Sequence, residues 1–273
     1  MSESKAIENA GRPRTRQSLA ADLRRLGLKP GVTVLVHSSL SRLGWVSGGP
    51  LAVVQALMDV VTPRGTLVMP THSGDYSDPS RWENPPVPET WWQTIRDTMP
   101  AFDPRCSPTR GMGVIVETFR RCPGVVRSAH PAFSFAAWGS EALSVTADHE
   151  LDYGLGEGSP LARIYDLDGF VLLLGVDHAS NTSLHLAEYR APEATPEDLG
   201  APMMLNGQRE WVSYKDIALD SEVFPQIGAR LEEEHPPRIG RVGSAEARYF
   251  AQRPAVDFAQ EWITKQRASK RGA

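Results

Sequence analysis

The chain has 273 residues, of which 41% are hydrophobic and 23% charged, with a formal charge of −4. That length buries a substantial core, and the ordinary balance of residues excludes disorder, collagen and coiled coil as overall descriptions. The acidic balance argues against a general nucleic-acid binder, and the longest apolar stretch, 170–176, is far too short to cross a bilayer.

The first 17 residues are polar, mixed in charge and without an apolar h-region, so no signal peptide is visible, and residues 1–14 read as loose. Residues 18–27 place Leu19, Leu23 and Leu26 on one helical face, with Gly27 as a C-terminal cap. A strand at 32–36 runs into His37-Ser38-Ser39. A glycine-rich loop follows, and Pro50 opens a helix to about Val61. The strand at 66–69 ends in Pro70-Thr71-His72-Ser73. This order of strand, helix and strand predicts an α/β layered core.

Residues 74–108, rich in proline, acids and aromatics, read as a long irregular loop, which in a compact domain usually serves function. Further expectations are a helix over 111–121, a strand over 132–137, a buried strand over 169–175 and a helix over 182–190 with Asn181 as N-cap. Beyond Gly200 the pattern loosens. It allows a strand over 211–214, helices over 222–234 and 244–252, a final amphipathic helix over 254–265, and a frayed basic tail at 266–273. No repeat or linker interrupts the chain, so it reads as a single domain spanning 1–273.

Several chemistries lack a signature. There is no phosphate loop, no dinucleotide-binding turn, no hydrolase elbow and no zinc motif, so no metal is expected. Only two cysteines occur, Cys106 and Cys122. They suit packing better than nucleophilic attack, because neither has a base beside it in sequence, and they fit a reduced, cytoplasmic chain. Ligands of open α/β sheets bind beyond the carboxyl ends of strands, where His37-Ser38-Ser39 and Thr71-His72-Ser73 fall. The segment 107–113 adds Arg110, hydroxyls and glycines before a helix, a plausible diphosphate clamp, although the same residues serve equally well as turns and caps. On a helix capped at residue 181, His185 lies near the first turn, where the positive terminus favours the neutral ring that a general base needs, and Glu188 is three residues on. Packing is the competing role for this histidine. Acids beside aromatics in 75–92 suit a polycationic, sugar-like ligand or a solvated loop.

A resemblance narrows these alternatives. The segments Val36-His-Ser-Ser-Leu40, Gly65-Thr-Leu-Val-Met-Pro70, Pro100-Ala-Phe-Asp-Pro104, Thr109-Arg-Gly-Met-Gly113, Arg127-Ser-Ala-His-Pro131, Gly158-Ser-Pro-Leu-Ala-Arg163, Leu172-Leu-Leu-Gly175 and Thr182-Ser-Leu-His-Leu-Ala-Glu188 occur in order. Together they resemble the antibiotic N-acetyltransferase family of aminoglycoside 3-N-acetyltransferases, closely over about 15–190 and loosely after 200. The resemblance implies a layered α/β fold with a central mixed sheet flanked by helices, distinct from the common GNAT acetyltransferase fold. It implies acetyl transfer from acetyl-coenzyme A to the 3-amino group of a 2-deoxystreptamine aminoglycoside, and thus antibiotic resistance. Direct transfer is expected, with His185 as catalytic base and Glu188 orienting it. Asp220 is the favoured supporting acid ahead of Asp216 and Glu222, and His130 is expected to be structural. Coenzyme A contacts are expected at His37, Ser38, Ser39, Pro70, Thr71, Ser107, Thr109, Arg110 and Gly111. Asp75, Tyr76, Glu89 and Asp177 are expected to attract the cationic sugar. The same transfer to another amine, or coenzyme A or polyamine binding without catalysis, are the alternatives. No nucleic-acid or membrane partner is expected, and homo-oligomer formation is left open.

Overall fold

In the computed structural model, which describes residues 7–8 and 11–271, the longer helices are set by local chemistry and a buried stripe. Helix α1 (Arg16–Leu26) opens on a capping box in which Thr15 and Ser18 exchange backbone and side-chain hydrogen bonds. It buries Leu19, Ala20, Leu23 and Leu26, and stops at Gly27, whose φ of 108° carries the left-handed cap. Strand β1 (Thr33–Ser38) follows, then α2 (Gly49–Val61) with Pro50 in its first turn, then β2 (Thr66–Pro70).

Next come α3 (Trp92–Thr98), α4 (Gly113–Phe119), β3 (Val126–Arg127), β4 (Phe135–Gly139), α5 (Ala142–Thr146), α6 (Pro160–Asp166), β5 (Phe170–Leu174) and α7 (Ser183–Arg190). The chain closes with a hairpin of β6 (Pro196–Leu205) and β7 (Gln208–Ile217), then α8 (Phe224–Glu234), β8 (Arg238–Val242), β9 (Ala245–Ala251) and α9 (Gln252–Arg271).

Seven strands form one mixed sheet in the order β3-β4-β2-β1-β5-β9-β8. Its centre is parallel, β1 pairing with β2 on one side and β5 on the other, and the flanking pairs are antiparallel. Alternation sends Val34, Val36, Leu67 and Met69 into a core shared with α1, α2 and α4. Leu35 and Val68 enter the opposite core, built with α5 to α9. Both faces of the central strands are therefore covered, as a parallel centre requires.

Several expectations need correction. Within residues 244–252, Ala245–Ala251 form β9 rather than a helix. Ala245, Ala247 and Tyr249 alternate inward, and pairing with β5 overrides a helix-favouring composition. Residues 74–108 contain α3 and two short 3-10 turns, so the segment is only partly irregular. Helix α4 starts at Gly113 because Gly111 holds a φ of 71°. The strand expected over 132–137 begins only at Phe135, and the one expected over 211–214 is the longer β7.

Asn181 is not the cap of α7. Thr182 occupies that position, and the Asn181 amide nitrogen lies 3.4 Å from His178 Nδ1. The basic tail is helical through Arg271, and residues 272–273 lie outside the described part. Of the loose N-terminus, Arg14 is anchored, its N–H donating to Trp45 O at 2.9 Å, while residues 1–6, 9 and 10 lie outside the described part. Cys122 is half-buried, but Cys106 is exposed and packs nothing away from solvent.

Candidate active site

The helix after β1 packs on one face of the sheet and the helix after β5 on the other. Chains leaving adjacent parallel strands in opposite directions open a crevice at their carboxyl ends. A cavity of about 960 Å³ lies there. One wall is the end of β1, from Val36 to Ser41, with Pro70 and His72 beyond β2. The glycine turn Gly111–Gly113 and the first residues of α4 form a second wall, and Gly111 and Gly113 both have positive φ, 71° and 84°. Residues 176–182 contribute Val176, Ala179, Ser180 and Thr182, the glycine-rich loop adds Gly44, Trp45, Val46 and Gly49, and His185, Ser221 and Phe224 complete the lining.

His185 sits in the first turn of α7, and its backbone N–H donates to Thr182 O at 3.1 Å. Its side chain is 13% exposed, and its ring meets Phe224 edge-on at 4.7 Å between centroids. Nδ1 lies 2.5 Å from Glu188 Oε2, on the same helical face at i+3. A carboxylate offers only acceptors, so in the neutral ring the proton sits on Nδ1 and the lone pair on Nε2. Glu188 is 2% exposed, and its Oε1 accepts the Asp220 backbone N–H at 2.7 Å. Arg267 of α9 donates to the Glu188 and Ala191 carbonyls and so clamps the end of α7.

Asp220 therefore reaches this network through its main chain, not its acid. Its carboxylate is turned outward and accepts the Glu222 N–H at 3.1 Å, capping the 3-10 turn Ser221–Val223. Asp216 is buried elsewhere, bound to the Tyr189 hydroxyl and the Ile217 N–H, and burial raises its pKa.

Of the expected cofactor contacts, His37, Ser38, Ser39, Pro70 and Gly111 line the cavity, whereas Thr71, Ser107, Thr109 and Arg110 do not. The Thr71 hydroxyl is wholly buried and engaged by Ser134 and Arg127. Ser107 is 2% exposed and its Oγ accepts the Asp103 N–H, while the Thr109 hydroxyl donates to Glu117 at 2.8 Å. Arg110 pairs at 3.2 Å with Asp75, so an expected diphosphate clamp and an expected sugar-binding acid hold each other at the surface.

Tyr76, Glu89 and Asp177 also lie off the lining. Tyr76 packs edge-on against Phe102, Glu89 begins an exposed 3-10 turn, and the Asp177 carboxylate accepts the Ala179 N–H as a cap. His72, Thr182, Ser221 and Phe224 are lining residues that sequence reasoning did not single out. His72, inside the strand-end segment 70–73, and Thr182, at the head of the segment 182–188, carried a signal; Ser221 and Phe224 carried none.

Arg127 holds the site's frame together. Its guanidinium donates to Thr71 O (2.7 Å), Ser73 Oγ (2.7 Å) and Ser107 O (2.6 Å), joining the end of β2 to the segment that leads into α4. Burial lowers its pKa to about 10. His130 is a bracket beneath the site. Its Nδ1 accepts the Ala132 and Phe133 N–H groups and its Nε2 meets Leu151 O at 3.1 Å.

Comparison with known proteins agrees with this arrangement. Residues 35–264 match the profile of a family described as aminoglycoside 3-N-acetyltransferase. The chain is 52% identical over 260 residues, 95% of its own length and 96% of the other's, to the SPbeta prophage-derived aminoglycoside N(3')-acetyltransferase-like protein YokD of Bacillus subtilis (strain 168). It is 38% identical over 288 residues, covering 100% and 99%, to aminoglycoside N(3)-acetyltransferase VII of Streptomyces paromomycinus.

The crystal structure of the Bacillus subtilis protein superposes with a TM-score of 0.96 at 50% identity, over 97% of this chain and 98% of that one. AAC-IIIb in binary complex with CoASH superposes at 0.84, with 33% identity over 93% and 98%. AAC-VIa bound to sisomicin superposes at 0.83, with 30% identity over 93% and 99%. With the α/β frame, the strand-end cavity and the buried His–Glu pair in place, these matches make the chain a member of the aminoglycoside 3-N-acetyltransferase family of acyltransferases.

Proposed function

We propose that this chain transfers an acetyl group from acetyl-coenzyme A to the 3-amino group of a 2-deoxystreptamine aminoglycoside, a reaction that inactivates the antibiotic in the cytoplasm. The observation that carries this reading is His185 on the cavity wall, with Nδ1 tied to the buried Glu188 carboxylate behind it and Nε2 left as a base. A cavity of about 960 Å³ is large enough for the thioester arm and an amine together. Ser38 Oγ, buried on its wall without a partner, fits a polar pantetheine arm. The CoASH and sisomicin complexes of AAC-IIIb and AAC-VIa support both ligand classes.

His185 Nε2 takes a proton from the amine as nitrogen attacks the thioester carbonyl carbon. The N–C bond forms, the C–S bond breaks, and the departing sulfur takes up a proton. Glu188 stabilises the imidazolium that forms in between. With both reactants held side by side, no acyl-enzyme is needed. The surface acids and the formal charge of −4 attract a polycation.

A thiol-release assay with acetyl-coenzyme A across an aminoglycoside panel tests the reading, together with His185→Ala. Turnover with aminoglycosides is expected. The variant should lose about 100-fold or more in turnover while coenzyme A binding stays near normal. Near-normal turnover in that variant removes His185 from the role, and thiol release only with other amines moves the substrate class.

A further inference from the structure

Buried histidines outside the cavity are satisfied by the protein. His130 uses both ring nitrogens, and His149 places Nδ1 against Ser128 Oγ at 2.9 Å and Nε2 against Gly154 O at 2.6 Å. His178 meets Glu232 at 3.0 Å. On the cavity wall the pattern reverses. His37 is 5% exposed, yet its Nε2 has no partner, and neither do Ser38 Oγ and His72 Nε2. Buried polar atoms are overwhelmingly paired in native proteins, and one left unpaired destabilises the fold. Of ten buried side-chain polar atoms without a partner among the described residues, these three cluster at the ends of neighbouring parallel strands around one cavity, an arrangement that fits hydrogen-bonding capacity held for a ligand.

Of the three, His72 has a packing explanation, its ring lying edge-on to Phe133 and Phe135 at 5.5 and 5.4 Å. Ser38 ends strand β1 and matches a cosubstrate contact. His37 has neither a protein hydrogen-bond partner for Nε2 nor an aromatic neighbour of that kind. It lies one residue from the carboxyl end of the central strand, in register with Leu173 of β5, on the same lining as His185. Burial, reinforced by the positive charge His185 can carry, lowers its pKa to about 3. A neutral imidazole carries one N–H, and the tautomer with that N–H on Nε2 leaves the donor unpaired at the cavity.

We propose that His37 is a second catalytic residue of the reaction assigned above, its neutral imidazole donating a hydrogen bond to the thioester carbonyl oxygen as the amine adds. The hydrogen bond strengthens as that oxygen gains negative charge and relaxes when the carbonyl re-forms with loss of the thiolate. No proton leaves His37 at any stage, so His185 remains the base. Such a donor contributes a factor of about 10²–10³ in kcat. The inference rests on the acetyl-transfer reading, but its central readout needs only binding.

The test uses the full chain with a non-hydrolysable ketone analogue of acetyl-coenzyme A, in which CH₂ replaces the thioester sulfur. In the wild type, the ketone carbonyl stretch is expected to shift to lower frequency on binding. His37→Leu should abolish that shift, while His37→Asn, which keeps an N–H donor, should restore part of it. The kcat of His37→Leu should fall about 100-fold with the pH profile assigned to His185 unchanged. Its Tm should equal or exceed that of the wild type, because an unpaired buried polar group has been removed.

An unshifted carbonyl in the wild type, an unchanged shift in His37→Leu, or a lowered Tm with kcat preserved would overturn the assignment. If the wild type releases no thiol with any amine while the carbonyl shift behaves as described, the acetyl-acceptor reading fails and the donor role of His37 stands.

Discussion

Glu188→Gln separates orientation from shape at the His–Glu pair. In the native chain Oε1 accepts the Asp220 N–H at 2.7 Å and Oε2 accepts Nδ1–H of His185 at 2.5 Å. Glutamine fills the same volume, but only one of its terminal atoms is an acceptor. The Asp220 N–H is a fixed donor, so the amide oxygen stays there and the NH₂ group faces Nδ1. Nδ1 must then accept, its proton moves to Nε2, and the ring presents a donor to the cavity where a base is needed.

The buried carboxylate proposed to stabilise the imidazolium is lost as well. General-base assistance accounts for about 10²–10⁴ in rate, so we expect kcat to fall by about 10³, equivalent to ~4 kcal/mol of barrier. Glu188 is 2% exposed and does not line the cavity, so coenzyme A affinity measured by calorimetry should change little. The assay is thiol release under saturating acetyl-coenzyme A. A kcat within about threefold of the wild type, with the fold intact, would show that the pair does not set the ring's tautomer.

Other outcomes follow from the same geometry. His37 and His72 have pKa values lowered to about 3, His149 to about 4, and His130 well below its usual value, all chiefly through burial. The unfolded chain binds protons at these rings below about pH 6.5 while the native chain does not, so stability is full above that pH and is lost as pH falls towards 4. Each ring contributes a slope of up to about 1.4 kcal/mol per pH unit, so the urea midpoint should fall steeply between pH 6.5 and 5, and a flat profile would refute it. For Arg127→Met, the Thr71 and Ser107 carbonyls and the Ser73 hydroxyl lose their donor. We expect about 3 kcal/mol of lost stability, a Tm drop of ~6–12 °C, only partly recovered by Arg127→Lys because an ammonium cannot span the fork; a change under ~2 °C would count against it.

Much of the architecture is legible in local sequence. The Leu19, Leu23 and Leu26 stripe, Pro50 at the start of α2 and the apolar runs of β1, β2 and β5 each carry their element in a few residues, because burial on one stripe or on both faces leaves a periodic trace. Strand β9 is different. Its Ala-Glu-Ala-Arg run favours a helix locally, and only the unsatisfied edge of β5 makes it a strand. The short β3 and the helices α5 and α6 left no pattern long enough to read.

The site divides in the same way. Sequence alone, through the Thr182-Ser-Leu-His-Leu-Ala-Glu188 segment, determined that a histidine and a carboxylate share one helical face, since a spacing of three residues is fixed by the helix itself. Which acid supports the ring, and which hydroxyls reach the cavity, depended on groups tens of residues apart. Glu188, not the Asp220 carboxylate, meets His185 Nδ1, while the Asp220 carboxylate accepts the Glu222 N–H. Thr71 and Ser107 are withdrawn because buried Arg127 organises the segments that carry them. Long-range hydrogen bonds made these choices, and they have no period along the chain. The unpaired nitrogen of His37 could likewise be recognised only after every neighbour had been placed.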